Sequence, residues 1–403
     1  MNTEFLDGNR LTLLNSGEDY FPALLEAIEL ANTEIYLESY IFAADTIGTA
    51  VVGALCRASA RGVSVKVTVD GFGARNFADD FLARLTQWGV RVALYRPHIG
   101  VLPSLLRLRR RRFRRLHRKL AVIDAHTAFI GGINIIDDHN APPEMRPRFD
   151  YAVRVEGPTA GQVHKAMRRM WETVTWARFK RRFRPAPLAP QAPAHAPGQR
   201  AALLIRDNIR HRNDIQHAYL EAIDSATREI IIANAYFLPG LRFRRALYAA
   251  ARRGVRITVL LQGKTDHPLM RYATKALYAA ALRAKIRIFE YQRSFLHAKV
   301  AVIDGRWATV GSSNIDPFSF LLAKEANLVV DDARFASELE ASLRAAMAGG
   351  AREMLAEQVA RQSLASRALS WVSYGLVRLL TGFAGYGHER HLPAEPSFSD
   401  SED

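Results

Sequence analysis

One pattern occurs twice in this chain and governs what the rest of it can be. Residues 116–134 read LHRKLAVIDAHTAFIGGIN, and residues 296–314 read LHAKVAVIDGRWATVGSSN. Both follow H-x-K-x4-D-x6-G-x-x-N, through His117, Lys119, Asp124, Gly131 and Asn134, then His297, Lys299, Asp304, Gly311 and Asn314. With each fixed residue at roughly 2–7% usage, one copy at a given start is on the order of a one-in-ten-million coincidence. Two copies at identical spacing therefore mean a duplicated unit.

The surroundings repeat as well. EIYLESYIF (34–42) precedes a helical stretch and then ARGVSVKVTVDG (60–71), while EIIIANAYF (229–237) precedes a helical stretch and then RRGVRITVLLQG (252–263). Each half continues through an amphipathic segment into a further apolar strand, VRVALY (90–95) or IRIFEY (286–291). Strands alternating with helices of 10–15 residues predict an α/β fold with a largely parallel or mixed sheet in each half. A period this long excludes a solenoid.

Residues 185–198, PAPLAPQAPAHAPG, hold five prolines and no charged side chain, the composition of an extended linker. The expected organisation is a first domain over 1–184, a linker over 185–200, a second domain over 201–350 and a C-terminal segment over 351–403. A single cysteine, Cys56, excludes an intrachain disulfide framework and a Cys-rich zinc site, and suits a reducing compartment. The N-terminal residues lack the basic-then-apolar pattern of a signal peptide.

Geometry explains the motif's spacing. Residues two apart on a strand share a face, so His117 projects with Lys119 and His297 with Lys299, while Leu116, Leu120 and Val122, or Leu296, Val300 and Val302, supply a core face. Asp124 and Asp304 fall at the strand's end before a hairpin, with Asp304-Gly305 a strong short-turn signal. Within the catalytic motif these two aspartates are read as structural members that fix the turn. Asn134 and Asn314, after the return strand, are placed to come back beside the His and Lys as amide donors. Pairing each histidine with a lysine, which repels a cation, predicts chemistry without a metal or other cofactor.

These residues resemble the HxKxxxxD signature of the phospholipase D superfamily in both halves. The order of motifs, GGIN and GSSN, EIYLESYIF and the C-terminal tail are more similar to bacterial cardiolipin synthases of the B type. The resemblance implies two homologous α/β/α sandwich domains packed about a pseudo-two-fold axis, with one active site made by both motifs, so that a monomer suffices. It implies an imidazole nucleophile that forms a phosphohistidine and a second imidazole as general acid, later base. It favours His117 as the attacking group, although the sequence alone leaves the choice between His117 and His297 open. Lys119 and Lys299 would neutralise the phosphoryl oxygens, with Asn134, Asn314 and Ser312 as phosphate-binding donors. Asp150 and Glu325 hold positions where the family often has an acid that orients a catalytic histidine. Glycine at 132 departs from the common Gly-Ser, so a backbone N–H is expected to stand in. Glu38, Tyr40, Asn234 and Tyr236 are further pocket candidates.

The charge is placed unevenly. Of 56 Lys and Arg against 40 Asp and Glu, giving +16, nine basic residues lie in 107–119 and five in 178–184, with no acid in either window. The rest of the chain is nearly neutral. Basic patches of this kind attract polyanions. An apolar stretch, IGVLPSLL (99–106), leads into the first patch, and the pair suits capture of an anionic lipid headgroup. Residues 367–387, RALSWVSYGLVRLLTGFAGYG, have the length of a spanning helix but carry Arg378 mid-way. Their 3–4 spacing of Leu369, Val372, Leu376, Leu379, Leu380 and Phe383 favours an amphipathic helix in the membrane interface, with packing on the protein's own body as the alternative. Residues beyond 387 are expected to be disordered.

The resulting expectation is a peripheral enzyme on the cytoplasmic face of a bacterial membrane. It would form cardiolipin from two phosphatidylglycerol molecules and release glycerol. The alternative within the superfamily is a phosphodiesterase or nuclease, and a membrane adaptor is disfavoured because every His and Lys of both motifs is intact. Nucleic acid is not the expected partner.

Overall fold

A computed structural model describes residues 3–96, 115–179, 194–207, 211–264, 267–317, 319 and 323–381. The first half runs β1 (Leu6–Asn15), α1 (Ser16–Glu29), β2 (Glu34–Ser39), α2 (Thr46–Ala60), β3 (Ser64–Asp70), α3 (Ala83–Gln87), β4 (Arg91–Tyr95), β5 (Arg115–Leu116), β6 (Leu120–Ile123), β7 (Thr127–Gly131), β8 (Arg148–Phe149), β9 (Tyr151–Glu156) and α4 (Pro158–Phe179). The second runs β10 (Gln199–Arg206), α5 (Asp214–Ser225), β11 (Glu229–Asn234), α6 (Leu241–Arg252), β12 (Arg256–Gln262), α7 (Pro268–Lys275), α8 (Tyr278–Arg283), β13 (Arg287–Tyr291), β14 (Phe295–Leu296), β15 (Lys299–Ile303), β16 (Trp307–Gly311), β17 (Ala323–Asp331) and α9 (Ala333–Gly350). The chain then continues through β18 (Ala351–Glu353), α10 (Ala356–Ala360) and α11 (Leu364–Thr381).

The duplication is visible in strand order. Reading outward from the centre, the first half is β1-β9-β7-β6-β2-β3-β4 and the second is β10-β17-β16-β15-β11-β12-β13-β18. Within each half, three parallel strands (β2-β3-β4 or β11-β12-β13) adjoin an antiparallel set, the mixed sheet expected from the sequence. Antiparallel pairing of β1 with β10 joins the two sheets, so the halves share backbone hydrogen bonds as well as side chains. Strand β10 begins at Gln199, at the end of the segment 185–200 expected as linker. Residues 180–193, and with them most of the second basic patch, lie outside the described residues.

Strands such as EIIIAN and RITVLLQ are almost continuously apolar because both their faces are covered. Helices α1 and α2 cover one face of the first sheet, around Leu24, Val51 and Leu55, and α5 and α6 cover the matching face of the second. Helices α4 and α9 cover the inner faces. Val163 and Met167 of α4 and Leu339 of α9 belong to one central core with Leu120, Val300 and Leu328. The result is two α/β/α sandwiches sharing a common inner core.

Residues 34–42 and 229–237 are not single strands. Pairing stops at Ser39 and Asn234, after which Phe42 and Phe237 form isolated bridges with Ile135 and Ile315. That departure turns Tyr40 and Tyr236 towards the seam between the halves.

Helix α11 packs on α7. Val377 is fully buried beside Leu238, Ala273 and Leu277, and Ser370 and Ser373 are also buried. Its larger apolar side chains point away: Trp371, Val372, Leu376, Leu379 and Leu380 are all exposed. The small, partly polar face therefore meets the protein, as the packing alternative expected, and the apolar face is left uncovered by the described residues. Among the described residues no helix is long and apolar enough to cross a membrane. Residues 382–403 lie outside the described residues.

Candidate active site

Each motif was expected to run along one strand, but two strands meet at the histidine. In the first half β5 ends at Leu116 and β6 begins at Leu120, and in the second β14 ends at Leu296 and β15 begins at Lys299. The short strands before the histidines pair across the seam. Arg115 and Leu116 align with Ala323 and Lys324, and Phe295 and Leu296 align with Arg148 and Phe149. The backbone N–H of His117 donates to the Lys324 carbonyl (3.0 Å), and that of His297 to the Phe149 carbonyl (2.8 Å).

This crossing exchanges carboxylates between halves. His117 Nδ1 lies 3.0 Å from Glu325, which follows the second motif, and His297 Nδ1 lies 2.6 Å from Asp150, which follows the first. With Nδ1–H donating to a carboxylate, Nε2 of each ring is left as the reactive nitrogen. Both imidazoles are 17% exposed and line one cavity of about 540 Å³ with Asn134, Asn314, Tyr40 and Tyr236. Lys119 Nζ donates to the His117 carbonyl (2.7 Å), and Lys299 Nζ to the His297 carbonyl. Each lysine is thereby fixed on its own histidine's side. Tyr40 meets the His117 ring edge-on at 4.9 Å, and Phe295 stacks on His297 at 5.9 Å.

The electrostatics follow from burial in a cluster of cations. Burial lowers the His117 pKa, with Glu325 opposing and Lys119 adding to the effect. Burial and then Lys299 push His297 down to about 4, against Asp150. Burial brings Lys119 down to about 7 and lowers Lys299 as well. Burial works to raise Glu325, but His117, Lys119 and Ser312 outweigh it and keep the carboxylate ionised.

The Ser312 hydroxyl is fully buried, donates to Glu325 (2.6 Å) and is absent from the cavity wall. It braces the orienting acid and, like Lys119 and Lys299, lies buried behind the residues that line the cavity. The glycine at 132 has a steric reason, because a Cβ there would collide with both carboxylate oxygens of Asp150. A longer Glu goes with Ser in one half and a shorter Asp with Gly in the other. The Gly132 N–H, expected to replace the missing hydroxyl, donates to the Tyr151 carbonyl (2.9 Å).

Asp124 and Asp304 lie away from the cavity, at the hairpin turn. Asp124 accepts from the backbone N–H groups of Asn32, Thr33 and Glu34 and from the Thr33 hydroxyl, at 2.7–2.9 Å. Asp304 does the same with Thr227, Arg228 and Glu229 at 2.8–3.0 Å. Both have positive φ (52° and 53°) in a turn whose next residue, Ala125 or Gly305, is also positive. They tie the hairpin to the start of β2 or β11.

Of the other candidates, Tyr40 and Tyr236 face the cavity, whereas Glu38 and Asn234 lie beneath it. Glu38 forms a buried two-point ion pair with Arg118 (2.7 and 2.8 Å). The equivalent pair in the second half is Ala233 with Ala298, so acid and base are absent together. Asn234 accepts from the Ile315 N–H at 3.2 Å.

Crossed carboxylates, paired imidazoles and a duplicated sheet together identify the scaffold, and comparison with known proteins agrees. The family model described as "Cardiolipin synthase, PLD-like domain" matches residues 24–171 and 219–347. The chain belongs to the phospholipase D-like cardiolipin synthase family. Cardiolipin synthase B of Escherichia coli (strain K12) is 37% identical, over 98% of this chain and 96% of that protein. Cardiolipin synthase A of Pseudomonas entomophila is 32% identical over 87% of this chain and 71% of that protein. In fold, this phospholipase D-like chain is similar to the crystal structure of a phosphatidylserine synthase from Haemophilus influenzae. The TM-score is 0.65 at 14% identity, over 95% of this chain and 96% of the other.

Sequence reasoning missed several cavity residues of this family member, Arg148, Asp138, Asp316, His267 and Phe295, and had Arg115 only as part of the 107–119 basic patch. Arg115 and Phe295 stand two before a motif histidine, a spacing that puts them on the same side of an extended chain. The pairing partner that completes each position is invisible without the fold.

Proposed function

We propose that this enzyme forms cardiolipin by transferring the phosphatidyl group of one phosphatidylglycerol to a hydroxyl of a second, releasing glycerol. The observation that carries the reading is the pair of imidazoles in one cavity, each held at Nδ1 by a carboxylate of the opposite half. In the first step the His117 Nε2 lone pair attacks phosphorus and the P–O bond to the departing glycerol breaks. The glycerol oxygen takes a proton from His297 Nε2. In the second step His297 removes a proton from the acceptor hydroxyl, whose oxygen bonds to phosphorus as the His117–P bond breaks. Two imidazoles in opposite protonation states are what such a displacement needs. Burial supplies most of the His297 depression and neighbouring cations the rest. A phosphodiester anion between Lys119 and Lys299 offsets the part due to charge, which favours the protonated imidazole. The lysines and the amides of Asn134 and Asn314 stabilise the charge that grows on the non-bridging oxygens. Water in place of the acceptor gives phosphatidic acid by the same route.

The enzyme works at an anionic membrane surface, on the cytoplasmic face of the bacterial cell membrane. In support, α11 directs its apolar face outward, contains Arg367 and Arg378 and carries no acidic residue. Residues 99–106 and 107–114, expected to assist in headgroup capture, lie outside the described residues. The test is to incubate purified protein with phosphatidylglycerol vesicles without divalent metal and resolve the lipid products. Cardiolipin is expected. Neither cardiolipin nor phosphatidic acid from folded wild-type protein would sink the reading.

A further inference from the structure

We propose that Arg75 and Arg115, both over the ring of Phe72, form a second anion subsite at the mouth of the catalytic cavity, whose ligand is the phosphodiester of the acceptor lipid. This rests on the phosphatidyl-transfer reading and deepens it.

The guanidinium of Arg115 is 4.4 Å from the centroid of Phe72, and that of Arg75 is 5.1 Å from it. Neither has an ion-pair partner among the described residues, and Phe72 is itself exposed. Two cations gathered on one accessible ring repel each other until an anion joins them, and guanidinium forks suit phosphate oxygens.

The pair is built into the fold. Asp70, fully buried at the end of β3, accepts from the N–H groups of Phe72 (2.9 Å) and Gly73 (3.2 Å) through one oxygen. Through the other it accepts from the Leu116 N–H (2.8 Å). It therefore clamps the Phe72 loop against β5, which carries Arg115. Gly73 packs so closely on Tyr40 that a Cβ there would strike the Tyr40 ring at 2.8 Å. Tyr40 in turn touches His117, and Arg115 lines the same cavity as both histidines.

The second half has the clamp without the arginines. Gln262 accepts from the Leu296 N–H at 2.8 Å, as Asp70 does from Leu116. Lys264 occupies the place of Phe72, His267 that of Arg75 and Phe295 that of Arg115. The Lys264 ammonium is engaged by the carbonyls of Glu144 and Arg293. Two guanidiniums over one ring thus occur on one side of the cavity, while on the other the cations are Lys264, already engaged by carbonyls, and Arg148 beside Phe295. A reaction between two phospholipids brings two phosphodiesters one glycerol apart, and only one can lie between Lys119 and Lys299. The acceptor's phosphate needs countercharge of its own.

The test supplies phosphatidylglycerol with ethanol, so that a lipid acceptor and a neutral acceptor compete for the same intermediate. The ratio of cardiolipin to phosphatidylethanol is read for wild type and for the Arg75→Gln/Arg115→Gln double variant. A fall in that ratio of at least tenfold is expected, with much of it restored in Arg75→Lys/Arg115→Lys. The same fall is expected with short-chain phosphatidylglycerol below its micellar concentration, where no lipid surface exists. An unchanged ratio overturns the subsite, and so do both products falling together, which means donor binding or docking on vesicles. Wild-type enzyme that yields phosphatidylethanol and no cardiolipin overturns the cardiolipin reading first and the acceptor subsite with it.

Discussion

Glu325 belongs to the second half of the chain, yet its carboxylate holds Nδ1 of His117 in the first, at 3.0 Å. Asp150 returns the relationship to His297 at 2.6 Å. Neither half contains a complete oriented histidine, so under the proposed mechanism the seam between them is a condition of activity.

Loss of either carboxylate should therefore damage catalysis far more than folding. Glu325→Gln and Asp150→Asn keep size and hydrogen-bonding reach but remove the charge that fixes the tautomer and stabilises an imidazolium. Cardiolipin formation is expected to drop roughly 10²–10⁴-fold in each, while thermal unfolding shifts by only a few degrees. Equal loss of melting temperature and activity would make the pairs structural.

Labelling separates the two imidazoles. With a donor carrying an activated leaving group, His117→Ala should trap no phosphoenzyme. His297→Ala should accumulate it, because departure no longer needs the acid while the acceptor lacks its base. Label recovered on His297 in the wild type reverses these roles.

Burial and neighbouring cations set the pH dependence. His117 must be deprotonated to attack and its pKa is lowered, mainly by burial, so the acid limb of kcat/KM should lie below the ordinary imidazole value of about 6.5. His297 must hold a proton to act as the acid and is lowered too, again mainly by burial, which draws the alkaline limb down. Lys119 is needed as a cation but is brought down to about 7, mainly by burial. Activity should then decline on the alkaline side near neutrality, far below the usual lysine range. In Lys119→Arg the Lys119 contribution to that limb should disappear, since guanidinium stays charged, and the decline that remains should follow His297.

The turn aspartates predict the opposite phenotype. Asp124→Ala or Asp304→Ala leaves three backbone N–H groups without their acceptor and should cost roughly 1–3 kcal/mol of stability, read by chemical denaturation. Activity of the folded fraction is expected to stay within several-fold of wild type. Burial raises each carboxyl, but the N–H donors of 32–34 and 227–229 outweigh it and hold both below the ordinary value. A folded-state pKa below the unfolded one gives stability that is present above about pH 4 and lost as pH falls through the folded value. The alanine variants should lack that acid-side loss.

Helix α11 yields a binding prediction. Leu376→Asn/Leu379→Asn/Leu380→Asn alters exposed positions and should leave the melting temperature nearly unchanged. Co-sedimentation with phosphatidylglycerol vesicles should fall at least fivefold. Unaltered sedimentation would move membrane attachment elsewhere.

Much of this was legible in the chain. The 2-residue spacing of His and Lys, the alternating strand and helix pattern and the Asp-Gly turn are local signals, set by strand periodicity and turn geometry. They led to the duplicated α/β fold, to the motif residues and to the turn role of Asp124 and Asp304. Asp150 and Glu325 were found by position, but the histidine each would hold was not, because strand pairing between β5 and β17 or β8 and β14 joins residues far apart in sequence. The bond from Ser312 to Glu325 was not legible for a related reason. A hydroxyl beside a catalytic motif faces the substrate or the orienting acid according to side-chain packing that spacing does not encode.

The apolar pattern of 367–381 marked an amphipathic helix, and only its seating on α7 revealed that the serine face is inside. Sequence determined the chemistry by itself, since two identical sets of His, Lys, Asp and Asn restrict a chain to very few reactions. Tertiary structure decided how those sets combine: which carboxylate orients which imidazole, why Gly132 has no Cβ, and that Arg75 and Arg115 gather on one ring. Periodicity fixes which face of an element a side chain occupies, whereas only packing across the seam fixes what that face meets.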